Sequence, residues 1–164
     1  MMDIKKFEGI ETPFYYYDKA LLQETLAAIK VELSKHEGYH LHYAIKANAN
    51  IDVLRVIQQA GFGVDAVSGG EIQRALDAGF AADKIVYAGV GKADWEINLG
   101  LDAGIFCFNV ESLEELGIIN ELAAAKGKTA RVCFRINPNV GAHTHANITT
   151  GLAENKFGIS MRDM

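Results

Sequence analysis

Lys46 is the residue of this 164-residue sequence that is best placed for covalent chemistry. It ends the segment LHYAIKA, in which apolar and polar residues alternate as in a half-buried β-strand. Lys46 then shares one face of that strand with His42 and Ala44, away from the apolar face. A lysine amine that its surroundings keep partly unprotonated condenses with carbonyl groups to form an imine. The alternative is an ordinary solvated lysine.

Asp65 and Arg135 lie at the ends of two further predicted strands. Asp65 belongs to the segment FGVDAV, and Arg135 faces inward by parity in the segment ARVCFRIN. An unpaired charge at the position of Arg135 would be costly, so a structural ion pair is one interpretation of this arginine. Asp65 can equally be a solvated loop acid. Glu71 fits the S-x-x-E capping box with Ser68, which predicts a structural role for it.

Two other patterns do not support a site. The segment GVGK at residues 89–92 lacks the G-x-x-x-x-G-K-[ST] spacing of a phosphate-binding loop. Cys107 and Cys133 form neither a CxxC pair nor a cluster with metal-ligand spacing, so we interpret both as buried free thiols and predict no metal site.

Five β-rich segments must position these residues, and they recur at similar intervals along the chain. They begin near Leu41, Phe62, Lys84, Ile105 and Ala130. Helical patterns fill the gaps at residues 52–60, 70–78, 93–99 and 113–125, and three of them are predicted to end at Gly61, Gly79 and Gly100. Strands that alternate with helices in this way predict right-handed crossovers and a parallel sheet.

The alternation within the strands favours a barrel over a doubly wound sheet. A doubly wound sheet is covered by helices on both faces, so its strands read as nearly continuous apolar runs. Here one face is apolar and the other is polar, as in a barrel with functional groups at the C-terminal strand ends. Eight such units need on the order of 220 residues. We therefore expect an incomplete (β/α)8 TIM barrel with about five of its eight strand units, cut where Ser160 and Asp163 signal a new helix.

The N-terminal residues are expected to lead into this barrel. The segment TPFYYYDK at residues 12–19 predicts a short strand and a helix capped by Asp18, and the apolar spacing that follows predicts a helix from Lys19 to Glu37. We accordingly divide the chain into an N-terminal strand and helix at residues 1–37 and a partial barrel at residues 38–164.

Composition excludes several classes of partner. The net charge of −5 comes from 16 basic and 21 acidic residues without a basic run, which argues against nucleic acid. No apolar run approaches the roughly 20 residues that span a bilayer, and no apolar segment follows the first lysines. We expect a cytoplasmic protein that binds neither nucleic acid nor membrane.

Several motifs resemble one family of cofactor-dependent enzymes. YAIKANANIDVLRVIQQAG at residues 43–61 resembles the pyridoxal-phosphate attachment motif of the fold-type III decarboxylases of ornithine, arginine and diaminopimelate. Supporting segments are GFGVDAVSGGEI (61–72), FNVES (108–112), RINPNV (135–140) and HTHANITTGLAENKFGI (143–159). In the last of these, T-H-x-x-I-x-T-G followed by N-K-F-G resembles the diaminopimelate branch. The resemblance runs from Thr12 to Ile159.

The resemblance implies an alanine racemase-like barrel, pyridoxal 5'-phosphate held by Lys46, Asp65 beside that lysine, and Arg135 near the ring oxygen of the cofactor. It also implies a loop that closes over the active site and excludes water. The residues of this lid or substrate loop are His145, Thr149, Thr150 and Gly151.

The implied reaction is decarboxylation of meso-diaminopimelate to L-lysine and carbon dioxide in lysine biosynthesis, by a full-length homodimer. The alternatives are another fold-type III amino-acid decarboxylase, acting on ornithine, arginine or carboxynorspermidine, a racemase of the same fold, and a non-enzymatic pyridoxal-phosphate carrier. The family's phosphate loop and its acid at the ring nitrogen are absent from the 164 residues, so we expect this chain alone to be inactive.

Overall fold

The computed structural model describes residues 4–138 and 157–161. Its strands are β1 (His42–Ala44), β2 (Gly63–Ala66), β3 (Ile85–Tyr87), β4 (Cys107–Val110), β5 (Val132–Phe134), β6 (Ile136–Asn137) and β7 (Ile159–Ser160). Its helices are α1 (Lys19–Leu33), α2 (Ile51–Gln59), α3 (Gly69–Asp77), α4 (Asp94–Ala103) and α5 (Leu113–Ala125). Short 3-10 turns cover Ile4–Phe7, Ile45–Ala47 and Ala82–Lys84.

Strands β1 to β5 form one parallel sheet in sequence order, which confirms the predicted topology. Val64, Ile85 and Val110 are fully buried in the core. Asp65 and Asn109, which alternate with them, are only half-buried. Sequential order with one apolar face is the arrangement of a barrel wall, because doubly wound sheets reverse their strand order near the middle. The described wall is an incomplete barrel.

The fifth strand is an open edge of this wall within the described residues. Its outward-facing residues, Val132 and Phe134, are 36% and 41% exposed, whereas the matching residues of β4 are buried. Strand β5 pairs with β4 on one side, and β6 pairs with β7 in a separate two-stranded sheet. Among residues 4–138 and 157–161, no helix combines the length and apolarity that a bilayer crossing requires.

The predicted N-terminal strand is wrong. Residues 14–18 have no strand pairing in the described structure, and their aromatic side chains are exposed, with Tyr15 90% accessible. Strand preference of aromatic residues depends on a neighbouring strand and a packed face, and no described strand lies alongside them. The cap is confirmed, because the Asp18 carboxylate accepts a hydrogen bond from the Leu21 amide at 3.1 Å.

Helix α1 ends at Leu33, before the predicted Glu37. The amides of Lys35 and His36 donate to carbonyls only three residues back, those of Glu32 and Leu33. These tighter bonds replace the regular helical pattern in the last turn, so the helix closes before Gly38.

The predicted end of α4 at Gly100 is also wrong. The helix continues to Ala103 and ends at Gly104, whose φ of 71° suits a left-handed cap. Gly100 has a packing role instead. A Cβ at this position would lie 2.9 Å from Cζ of Phe108 on β4, so only glycine lets the helix approach the sheet this closely.

Candidate active site

Of the predicted site residues, Lys46, Asp65 and Arg135 are described, and they lie toward the C-terminal ends of β1, β2 and β5. The sequence analysis placed Lys46 at the end of the first strand, whereas it lies in the 3-10 turn directly after β1. The turn is closed by a 2.9 Å hydrogen bond from the Asn48 amide to the Ile45 carbonyl. Ile45 is fully buried and Lys46 is exposed, so the turn anchors its apolar residue in the core and presents the amine at the rim.

The asparagines that follow Lys46 explain the local sequence. The Asn48 side-chain oxygen accepts from the Asn50 amide at 2.9 Å, and the Asn50 side-chain oxygen accepts from the Asp52 amide at 2.9 Å. Asn50 is thus the N-cap of α2. The pattern K-A-N-A-N therefore holds the lysine between the end of a strand and the start of a helix.

Asp65 is a half-buried carboxylate on the penultimate residue of β2. It pairs in register with Ala44 on β1 and Val86 on β3, and its Oδ1 is buried without a hydrogen-bond partner in the described structure. Burial raises the pKa of Asp65, and the positive charges of Lys46, His42 and Arg135 lower it by less. The carboxylate thus lies within the electrostatic influence of Lys46 and Arg135, and its Oδ1 has no partner among the described residues.

Arg135 follows β5 directly and is held on both sides by backbone hydrogen bonds. Its amide donates to the Val110 carbonyl at 2.9 Å, and its carbonyl accepts from the Ile159 amide at 2.7 Å. The guanidinium Nη1 donates to Oε1 of Glu111 at 2.9 Å, and its carbon lies 5.4 Å from the centre of the Phe157 ring. The structural ion pair that the sequence analysis considered is therefore present, with Glu111 as its partner.

Glu111 is a rim residue that the sequence analysis missed. It continues the inward parity of Asn109 one step beyond β4, and its side chain is 6% exposed. Its second oxygen, Oε2, is buried without a hydrogen-bond partner among the described residues. The parity of β4 was a signal that could have identified it.

Lys92 was also missed, and its surroundings give it a structural role. Its side chain is 1% exposed and lies 5.2 Å from the centre of the Tyr87 ring. The amine donates to Oε1 of Glu115 at 2.5 Å and to the Asn109 and Gly89 carbonyls at 2.8 and 2.7 Å. These three bonds use all its protons and join the loop after β3 to β4 and α5.

Glu71 and Glu115 take part in the same hydrogen-bond pattern at the N-termini of α3 and α5. The Ser68 hydroxyl accepts from the Glu71 amide at 3.2 Å, and the Glu71 carboxylate accepts from the Val67 amide at 2.8 Å. Ser112 and Glu115 repeat this arrangement on α5. Both predicted S-x-x-E caps are confirmed, with the difference that each glutamate binds the amide one residue before the cap.

The prediction of two buried thiols is confirmed for one cysteine only, and the lid prediction is not tested. Cys107 is buried as predicted, whereas Cys133 is exposed because it lies on the edge strand β5. The loop residues His145, Thr149, Thr150 and Gly151 lie outside the described residues, so their role stays a prediction.

The free carboxylate oxygen of Asp65 leads to a stability prediction for the chain without cofactor. Because the folded pKa of Asp65 is raised, folding favours the protonated form, and stability falls as pH rises through the window between the unfolded and folded pKa. We expect Asp65→Asn to stabilise the chain by about 1 kcal/mol at pH 7, and this advantage to shrink as pH falls through that window. Urea unfolding at pH 4 and pH 7 measures both effects.

The matched control is Asp83→Asn at an exposed position, which should change the free energy of unfolding by less than about 0.5 kcal/mol at either pH. A less stable Asp65→Asn variant at pH 7, or a gain that does not depend on pH, would contradict this assignment.

The rim combines groups that suit an anionic carbonyl compound. An exposed primary amine can condense with a carbonyl carbon, a guanidinium can bind an anionic oxygen, and a buried carboxylate with a free oxygen can bind a cationic nitrogen. Pyridoxal phosphate carries all three kinds of group, so the residues present fit this cofactor.

Comparison with known proteins agrees with this chemistry. Residues 20–164 match the family model described as pyridoxal-dependent decarboxylase, pyridoxal binding domain. The diaminopimelate decarboxylase of Bacteroides thetaiotaomicron is 68% identical over 161 residues, which are 98% of this chain and 42% of that protein. The chain thus spans about two fifths of the length of this relative.

Solved structures give the same result. The diaminopimelate decarboxylase of Helicobacter pylori, complexed with L-lysine, matches with a TM-score of 0.87 and 42% identity over 96% of this chain and 40% of that chain. The M. jannaschii enzyme in co-complex with L-lysine matches with a TM-score of 0.83 and 40% identity over 97% and 38%. Because the family model matches the chain from residue 20 through residue 164, this protein belongs to the pyridoxal-dependent decarboxylases.

Proposed function

We propose that this chain is the cofactor-binding N-terminal part of a diaminopimelate decarboxylase, which converts meso-diaminopimelate to L-lysine and carbon dioxide in lysine biosynthesis. The observation that carries the proposal is the 68% identity to the Bacteroides thetaiotaomicron diaminopimelate decarboxylase over 98% of this chain. Residues 38–164 supply the partial barrel, and the full-length protein is proposed to be a homodimer.

Each rim residue has a distinct role in this proposal. Bound pyridoxal phosphate supplies a carbonyl carbon for the amine and a ring that accepts the electron pair left by departing carbon dioxide. Lys46 holds the cofactor, Asp65 binds a cationic nitrogen beside that lysine, and Arg135 donates to an anionic oxygen of the cofactor. Closure of the loop that contains His145, Thr149, Thr150 and Gly151 excludes water from the site.

Asp65 also has a role in proton transfer. The Lys46 amine acts as a nucleophile only after it loses a proton. Burial raises the pKa of the Asp65 carboxyl, so this group binds a proton more readily than an exposed aspartate. In the proposal this carboxyl exchanges a proton with Nζ of Lys46, whose positive charge acts on it.

The proposed activity is tested in a chimaera in which this chain replaces the 161 residues that it matches in the Bacteroides thetaiotaomicron relative. Release of carbon dioxide is measured from meso-diaminopimelate, L-ornithine and L-arginine, with the intact relative as the control. We expect turnover of meso-diaminopimelate within about tenfold of the relative's kcat, at least about 100-fold less from the other two amino acids, and none by the 164-residue chain alone.

Faster turnover of ornithine or arginine would replace the proposed substrate with one of these. A folded chimaera that binds pyridoxal phosphate and decarboxylates no amino acid would favour a non-enzymatic cofactor carrier. Turnover by the 164-residue chain near the rate of the chimaera would show that residues outside this chain are not needed.

A further inference from the structure

The Glu111 carboxylate is buried with only one of its two oxygens satisfied by the described residues. Its side chain is 6% exposed, Oε1 accepts from Arg135 at 2.9 Å, and Oε2 has no hydrogen-bond partner. A buried carboxylate in this state is costly unless its cationic partner stays in place. Glu111 therefore depends on Arg135 for its compensation.

Arg135 depends on Glu111 in a different way. The Arg135 side chain is 46% exposed, and the hydrogen bond to Glu111 is the one that its guanidinium makes among the described residues. The other four N–H donors of the side chain remain available for a ligand. Glu111 thus fixes one edge of the guanidinium, and the Phe157 ring at 5.4 Å lies against it.

Asp65 is a second carboxylate that attracts the same guanidinium. The positive charge of Arg135 acts on Asp65, yet within residues 4–138 and 157–161 the two form no ion pair and Oδ1 of Asp65 has no partner. Other groups that act on Asp65 are Lys46 after β1 and His42 on β1, and the charge of Asp65 in turn helps to raise the pKa of the Cys107 thiol on β4. Glu111 is the carboxylate that binds Arg135 in this competition.

We propose that Glu111 is a positioning residue that holds the Arg135 guanidinium apart from Asp65, so that both groups stay available to the cofactor and Lys46. This inference rests on the proposed function. When Glu111 loses its charge, Arg135 is free to pair with Asp65. The cofactor then loses the guanidinium and the carboxylate together.

The test compares Glu111→Gln and Glu111→Asp with Glu114→Gln in the chimaera. Glu114 is exposed on the first turn of α5, so its substitution changes the net charge equally. We expect Glu111→Gln to raise the Kd for pyridoxal phosphate about tenfold, Glu111→Asp to recover most of that loss, and Glu114→Gln to stay within about twofold.

A double-mutant cycle separates positioning from folding. If Glu111 acts through Arg135, Glu111→Gln added to Arg135→Met should change the Kd by less than about twofold. A second readout is the pH midpoint of the bound cofactor's absorbance. This midpoint should fall in Glu111→Gln, because Asp65 paired with Arg135 no longer offsets positive charge at the lysine–cofactor linkage, and it should not move in Glu114→Gln.

Two results would overturn the inference: an unchanged Kd and midpoint in folded Glu111→Gln, or an equal loss of affinity in the Arg135→Met background. Should Glu111→Gln fail to fold by circular dichroism, a folded Glu111→Asp variant whose Kd rises about tenfold or more, both with and without Arg135→Met, is the contradicting result. Borohydride reduction of the unsubstituted chimaera reports separately on the proposed function. Cofactor trapped on Lys46 supports that function even where the Glu111 variants show no effect.

Discussion

Lys46→Ala in the chimaera should abolish decarboxylation, with kcat at least about 10³-fold lower, and should leave no cofactor covalently attached after borohydride reduction. The substitution removes the only functional group that the 3-10 turn Ile45–Ala47 presents at the rim. Effects of this size are typical for loss of a covalent catalytic group. Ile45 stays in place to anchor the turn, so we expect the fold to persist.

The matched control for this substitution is Lys30→Ala, an exposed lysine in the last turn of α1. It should leave kcat and the trapped cofactor within about twofold of the unsubstituted chimaera. Retention of more than a tenth of the activity by folded Lys46→Ala would remove Lys46 from the mechanism and assign the cofactor to another residue.

Lys92→Met should have the largest effect on stability, lowering the free energy of unfolding by about 3–5 kcal/mol. It leaves Glu115, which is 13% exposed, without its cation, and it leaves the Asn109 and Gly89 carbonyls without their donor. Urea unfolding of the 164-residue chain measures the change. The methionine fills much of the same volume, so the loss reports on the charge and its hydrogen bonds.

Lys126→Met is the control for a lysine in a solvent-exposed ion pair. Lys126 binds Asp102 at 2.7 Å, but the two side chains are 29% and 55% exposed, so water screens the pair. Its loss should lower the free energy of unfolding far less than the loss of Lys92. Equal destabilisation by the two substitutions would show that burying the Lys92 ion pair does not increase its contribution to the free energy of unfolding.

The sequence analysis predicted the strand order and the rim because both follow from local pattern. Alternation in β1 and β5 indicated one apolar face, and parallel strands place their C-terminal ends together. Lys46 and Arg135 each lie just beyond the C-terminal end of a strand, and both strands end earlier than expected. The parity that identified Arg135 also applies to Glu111, its partner.

Other features depend on contacts between distant segments. Lys92 and Glu115 are separated by 23 residues, and no local pattern marks either as half of a buried ion pair. A glycine commonly ends a helix, but Gly100 lies inside α4, where the Phe108 ring on β4 leaves no room for a Cβ. The aromatic run at residues 14–17 has strand-like composition, but such composition forms a strand only beside a partner.

The central claim is that Lys46 is the residue that binds pyridoxal phosphate, and peptide mapping tests it most directly. The chimaera is incubated with stoichiometric pyridoxal phosphate, reduced with borohydride, digested and analysed by mass spectrometry. Our account predicts that the reduced cofactor is recovered on the peptide containing Lys46 at close to one per chain, and that this label is lost in Lys46→Ala. Recovery of the label mainly on another lysine, or in equal amount from Lys46→Ala, would contradict it.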